Sequence, residues 1–211
     1  CTHTVIPDRI EAGTWAIASA MTRGKLLLKM DPETGKKIMV PVLQMLEQAG
    51  VSLQWRHDGL EVQRHGQIYP VSVTTGPFPQ FPTDLLPQWV TFMTLANGPS
   101  ILKDTIYDNR FNHVEHLQKM GAKFTKFSDQ QYKVHGNANL QGTRVVATDL
   151  RAGAALILAA LVAEGPTVVK QFQHVLRGYE DIKGKLGCWS VQLGNLPQAR
   201  PGFHGGNDQR R

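Results

Sequence analysis

One supersecondary unit of mixed α and β character, repeated three times around a shared core, is the fold the sequence predicts: an α/β (α+β) domain. Three observations lead there. First, an apolar segment, a glycine, a β-rich stretch, an amphipathic segment, a second glycine and another β-rich stretch follow one another three times along the chain. Second, the paired glycines, Gly24 and Gly50, Gly98 and Gly121, Gly165 and Gly187, are 26, 23 and 22 residues apart. Third, the tripeptide Thr-Asp-Leu recurs at a spacing of 65 residues, starting at Thr83 and at Thr148.

The opening segments of the units, 9–21, 85–96 and 150–163, are rich in Ala, Leu and Met, which favour helix. The pieces after each first glycine, 26–28, 100–102 and 167–169, are short and rich in Leu, Ile or Val, as strands are. Amphipathic stretches at 40–46, 114–120 and 179–186 predict a second helix in each unit, followed by strands at 51–55, 122–127 and 188–193. Further strands are expected at 60–64 and 131–135. Gly50 and Gly121 close helical patterns and fit the left-handed cap position. The repeat is βαβαββ-like, and three such units share one core. The domain is expected over 1–194, with units at about 8–78, 79–146 and 147–194, and a disordered Gly/Pro-rich tail over 195–211.

Composition sets outer limits. At 41% hydrophobic and 8% aromatic residues in 211, the chain can bury a core and is too apolar to be disordered. Its longest uncharged apolar run, 154–163, has ten residues, about half of a membrane crossing, so no membrane partner is expected. Two cysteines, Cys1 and Cys188, make no disulfide framework and point to a reducing compartment. The formal charge of +6 is dispersed apart from Lys36-Lys37 and Arg210-Arg211, and no aromatic-basic motif accompanies it. Nucleic acid is therefore not an expected partner. The first residues lack the pattern of a signal peptide, and a start at Cys1 reads as a beginning inside a longer protein.

The entrances to the first helices carry the chemistry. They read Pro7-Asp-Arg-Ile10, Pro82-Thr-Asp-Leu85 and Ala147-Thr-Asp-Leu150. Asp and Thr at such positions cap free backbone N–H groups, and the same helix ends attract anions. Arg151 follows the third aspartate by two residues, and Arg110 and Arg177 lie in turn-like segments of their units. Three arginines at related rims suggest a pocket for carboxylate or phosphate, because guanidinium offers such groups a flat fork of donors.

The strings His3-Thr-Val-Ile-Pro-Asp-Arg-Ile-Glu-Ala-Gly-Thr14, Phe81-Pro-Thr-Asp-Leu85, Asp108-Asn-Arg-Phe111, Ala147-Thr-Asp-Leu-Arg-Ala152 and Arg177-Gly-Tyr-Glu180 closely resemble the UDP-N-acetylglucosamine 1-carboxyvinyltransferases of the enolpyruvyl transferase family. The likeness runs in order from about His3 to Leu186. It implies one lobe of a two-lobed inside-out α/β barrel, here the second lobe, with the active site in the cleft and the first lobe as the missing partner. The implied reaction moves enolpyruvyl from phosphoenolpyruvate to the 3-hydroxyl of UDP-N-acetylglucosamine and releases phosphate, in peptidoglycan precursor synthesis in the cytoplasm. No cofactor or metal is implied.

By resemblance Asp84 is the general base; Arg151, Arg177 and Arg110 bind phosphoenolpyruvate, with Asp149 holding these cations; and Thr83, Asp84, Ile106 and Tyr107 contact the UDP-sugar. Tyr107 stands where the family usually has Phe. The family's reactive cysteine belongs to the first lobe, so Cys188 is expected to be an inert buried thiol, and the half-enzyme is expected to be inactive alone. The end of the last helix, Lys185-Leu-Gly-Cys-Trp189, is shorter than the family's. A non-catalytic remnant, or a UDP-sugar or partner-binding protein of the same fold, is the alternative.

Other residues read as structural. His113 and His116 share a helix face without a third ligand near them, which predicts a surface or cap role. Met21, Met39, Met45, Met93 and Met120, with Trp15 and Trp89, are expected core fillers, and Trp55 a strand residue.

Overall fold

The computed structural model describes residues 1–3 and 5–187. The strand expected at 188–193, Cys188 and the tail at 195–211 lie outside the described residues. The chain divides into two compact units, Cys1–Glu180 and Asp181–Arg211.

The first unit opens with α1 (Arg9–Thr22), started by the Asp8 carboxylate, which accepts the Ile10 and Glu11 N–H groups at 2.7 and 3.1 Å. Arg23, with φ 57°, takes the left-handed position that ends α1, where Gly24 was the expected stop. The last carbonyls of the helix are taken up by Arg64, whose buried guanidinium donates to the oxygens of Ala20 and Met21. Strand β1 (Lys25–Lys29) follows, then α2 (Pro32–Gln48), two turns longer at its start than its apolar pattern predicts. Asp31 caps α2 through the Thr34 N–H at 2.8 Å and Pro32 fills its first turn, a start signal that polar Thr34, Lys36 and Lys37 obscure. Strands β2 (Ser52–Arg56) and β3 (Gly59–Gln63) complete an antiparallel sheet of order β1-β3-β2, with Leu28 opposite Leu60. Trp55 packs on Gly35 of α2, where an added Cβ would come within 2.6 Å of the indole.

The second repeat has the same logic with one more strand. Strand β4 (Val73–Thr74) is joined through a 3₁₀ turn (Thr83–Leu85) and α3 (Leu86–Met93) to β5 (Ser100–Lys103), parallel to it. Then come α4 (Val114–Lys119), β6 (Phe124–Ser128) and β7 (Gln131–Val134), giving the order β4-β5-β7-β6. Helix α3 is shorter at both ends than the 85–96 predicted from composition. In the third repeat β8 (Arg144–Val146) and β9 (Val168–Lys170) pair in parallel across α5 (Leu150–Val162). Gly50 and Gly121, at φ 86° and 99°, adopt the left-handed cap conformation expected of them. The helix expected at 179–186 is present as α6 (Ile182–Gly187), in the second unit, starting three residues later, and a 3₁₀ run (Phe172–Arg177) precedes it. Tyr179 leaves the helical path because its ring is buried in the core and its hydroxyl is engaged there.

Helices α1, α3 and α5 pack directly on one another, and the sheets stand outside them. Ile17, Leu86, Trp89, Met93, Leu156 and Ala159 are buried in this centre. Trp89 lies edge-on to both Phe81 and Phe92 at 5.4 Å and donates its indole N–H to the Val71 carbonyl at 3.3 Å. One buried polar knot joins all three repeats: Thr14 Oγ1 and the Tyr179 hydroxyl are 2.9 Å apart, and Gln88 Nε2 donates to both at 3.0 and 3.1 Å. Burial pushes the Tyr179 phenol above its ordinary range, opposed by Thr14, Arg151 and Gln88. Met21, Met39, Met93 and Met120 are buried as expected.

Candidate functional site

The three aspartates at equivalent helix entrances do different things. Asp8 and Asp149 cap their helices; Asp149 Oδ1 accepts the N–H groups of Arg151 and Ala152 at 2.7 and 2.9 Å. Asp84 caps nothing, because the chain enters α3 through a 3₁₀ turn and Pro87 removes a donor from the helix's first turn. Its carboxylate turns outward and is shared by two arginines: Oδ1 lies 3.1 Å from Arg110 Nη2 and Oδ2 lies 3.0 Å from Arg151 Nη2.

Arg110 comes from the turn after β5 and is only 8% exposed. Its Nε donates to Thr83 Oγ1 at 3.0 Å, and its guanidinium carbon lies 4.4 Å over the Tyr107 ring. The Thr83 hydroxyl donates in turn to Asp104 Oδ2 at 2.6 Å. Asp104 is fully buried, and its Oδ1 accepts the N–H groups of Ile106 and Tyr107 at 2.7 and 2.8 Å. This carboxylate thus ties the loop after β5 to the 3₁₀ turn, while the side chains of Ile106 and Tyr107 remain half exposed. Sequence reasoning passed over Asp104; an aspartate directly after a strand, bonding the backbone two residues on, is a turn signature that could have marked it.

Asn112 was also missed; its amide donates to Asp149 Oδ2 at 2.8 Å. Burial works against the Asp149 charge, but the N–H donors of Ala152 and Arg151, the Asn112 amide and the Arg110 charge outweigh it and hold the carboxyl below its usual range. His113 is fully buried at the N-cap position of α4, where its side chain makes no cap bond, which corrects the surface or cap role expected for it. Burial is the main cause that pushes its imidazole down to about 4, so the ring is neutral at pH 7. Its ring stacks beside Phe111 at 6.4 Å. His116 is buried too.

Thr83, Asp84, Arg110, Asp149 and Arg151 therefore converge from two repeats, with Ile106 and Tyr107 on the adjoining loop. Arg177 makes no hydrogen bond or ion pair with them. It sits exposed at the end of the 3₁₀ run, and its side chain has no hydrogen bond or ion pair among the described residues. Val175 of the same run packs against Gly153 of α5, where an added Cβ would stand 2.5 Å from Val175 Cγ2. A groove of about 440 Å³, whose lining includes Phe111, Asn112, Glu115 and Tyr132, reaches the cluster through Asn112. No group of three or more metal-ligating side chains occurs among the described residues. No helix there is long and apolar enough to cross a membrane.

Residues 1–186 match the profile of the family described as EPSP synthase (3-phosphoshikimate 1-carboxyvinyltransferase). The chain is 44% identical over 184 residues to UDP-N-acetylglucosamine 1-carboxyvinyltransferase 1 of Staphylococcus aureus strain N315, covering 87% of this chain and 43% of that protein. It is 46% identical over 193 residues to UDP-N-acetylglucosamine 1-carboxyvinyltransferase of Rhodopseudomonas palustris strain BisB5, covering 90% and 44%. The chain thus spans less than half the length of these curated relatives. Among solved structures, the enolpyruvyl transferase NikO from Streptomyces tendae superposes with a TM-score of 0.79 at 27% identity, over 88% of this chain and 43% of that one. EPSP synthase from Acinetobacter baumannii, at 18% identity and a TM-score of 0.59 over 84% and 44%, shares the fold. These neighbours have the inside-out α/β barrel, of which this chain is one lobe.

Proposed function

Because the chain belongs to the EPSP synthase family of carboxyvinyltransferases, we propose that it forms one half of an enzyme that transfers enolpyruvyl from phosphoenolpyruvate to the 3-hydroxyl of UDP-N-acetylglucosamine. The other half is the first lobe, in the same or a separate chain. The choice of acceptor rests on the two carboxyvinyltransferases named above, both enzymes of UDP-N-acetylglucosamine. The observation that carries the chemistry is a half-exposed carboxylate, Asp84, held between two guanidinium groups.

The reaction needs a base at the sugar hydroxyl, cations for carboxylate and phosphate, and a proton for the vinyl carbon. Asp84 takes the hydroxyl proton as the sugar oxygen bonds to C2 of phosphoenolpyruvate and the methylene carbon gains a proton. Arg151 and Arg110 hold the carboxylate and phosphate, exposed Arg177 joins them when the anion binds, and Asp149 anchors the start of α5 from which Arg151 projects. Loss of a proton from the new methyl group then expels phosphate and restores the double bond. Thr83 and the 106–107 loop receive the UDP-sugar, the loop presenting Ile106 and Tyr107 at a backbone pinned by Asp104. The acid belongs to the other lobe.

Phosphate release from phosphoenolpyruvate and UDP-N-acetylglucosamine tests the proposal, measured on this chain with and without a separately expressed complementary lobe. Turnover in the mixture that Asp84→Ala abolishes is the expected result. Silence of a correctly folded mixture overturns it and favours a non-catalytic protein of the same fold.

A further inference from the structure

The charges of the cluster do not suit an anion as they stand. Asp84 and Asp104 bring two carboxylates against the guanidinium groups of Arg110 and Arg151, and a third, Asp149, lies near enough to feel the Arg110 charge. The two arginines are also unequal. Arg110 keeps Thr83 at 3.0 Å and buried Asp104 at 4.0 Å whatever Asp84 does. Arg151 makes its one recorded ion pair with Asp84 and is 18% exposed at the side chain, so it is the cation an incoming anion can reach. Asp84 itself is 41% exposed and anchored by nothing but the two arginines among its recorded side-chain partners. A carboxylate in that position does what a bound phosphate or carboxylate would do.

We propose that Asp84 is the resident counter-ion of Arg151, displaced when an anionic substrate takes the guanidinium, so that anion binding and release of the Asp84 carboxylate are one event. This deepens the function proposed above and rests on its reading of Arg151 as an anion ligand. Its consequence is an order of events: the carboxylate becomes available to a sugar hydroxyl only after the anion has arrived. Competition for one fork of donors also means that Asp84 weakens anion binding, the opposite of what a supporting ligand would do.

Titration of the 211-residue chain with inorganic phosphate and with phosphoenolpyruvate, followed by calorimetry and by the Arg151 side-chain NMR signals, tests this. Asp84→Asn keeps the shape and removes the charge, and is expected to bind both anions about fivefold tighter than the unaltered chain. Asp149→Asn removes a neighbouring charge that makes no ion pair with Arg151 while keeping the helix cap, since Asn caps as well as Asp; it is expected to change affinity by less than about twofold. Unaltered or weaker binding in Asp84→Asn overturns the displacement and leaves the anion site standing. Equal gains in both variants also overturn it, since they reduce the effect to net charge. Absence of binding in every chain, all folded by urea titration, overturns the anion site and the displacement together.

Discussion

Asp84 and Arg151 stand 67 positions apart in the chain, in different repeats, and meet at 3.0 Å. Each occupies a helix entrance that in another repeat serves only to start a helix. The pair exists because α3 begins with a 3₁₀ turn that leaves Asp84 uncommitted, while Asp149 caps α5 and aims Arg151 from its first turn.

Replacing Asp84 by Asn is expected to lower turnover in the presence of the complementary lobe by about 100- to 10,000-fold, the usual contribution of a positioned base. Circular dichroism and urea unfolding should stay close to those of the unaltered chain, because the carboxylate is 41% exposed. A loss of less than about tenfold in phosphate release would remove Asp84 from the role of base.

Arg151→Lys retains the charge but not the planar pair of donors. The expected outcome is a KM for phosphoenolpyruvate raised by about tenfold or more, with the KM for UDP-N-acetylglucosamine changed less. Steady-state kinetics with each substrate varied in turn reads the difference.

His113 makes stability depend on pH. Its imidazole is depressed from 6.5 to about 4 by burial, so the unfolded chain binds a proton at this site more readily than the folded one. The stabilisation is complete above about pH 6.5 and is lost as pH falls towards 4, by about 3 kcal/mol at most. Burial depresses His116 as well, in the same direction. Urea unfolding between pH 7.5 and 4.5 (roughly the span of this transition) is expected to show a shallower decline for His113→Phe than for the unaltered chain. An equal slope in the two would contradict the assignment.

Gly153→Ala is expected to cost about 1–3 kcal/mol and to displace the 3₁₀ run that carries Arg177. The added methyl would stand 2.5 Å from Val175 Cγ2 and 3.0 Å from Ala147 Cβ, both on short, stiff side chains. Gly13→Ala meets the end of a flexible Leu85 side chain instead and is expected to cost less. Thermal unfolding of the two variants makes the comparison.

Local pattern carried much of the architecture. The threefold repeat, the apolar helices and the strands of the first two repeats follow from periodicity and propensity, which act over a few neighbouring residues. Lengths were less legible where capping overrode composition: α2 begins at Pro32 on the strength of Asp31, and α1 ends at Arg23, where Arg64, distant in sequence, takes up its last carbonyls. In the third repeat the second helix starts three residues late, at Ile182, since Tyr179 obeys a long-range knot with Thr14 and Gln88 rather than the helical pattern around it.

The sequence by itself determined the repeat, the family likeness and the identities of Thr83, Asp84, Arg110, Asp149 and Arg151, because motifs and periodicities are properties of short stretches. Only the tertiary structure decided which aspartate caps and which pairs, that Asp104 and Asn112 support the cluster, that His113 is buried and that Arg177 is exposed and bonded to none of them. Those outcomes depend on distances between repeats and on competition for the same N–H and guanidinium donors, and no local stretch of sequence contains both sides of that competition.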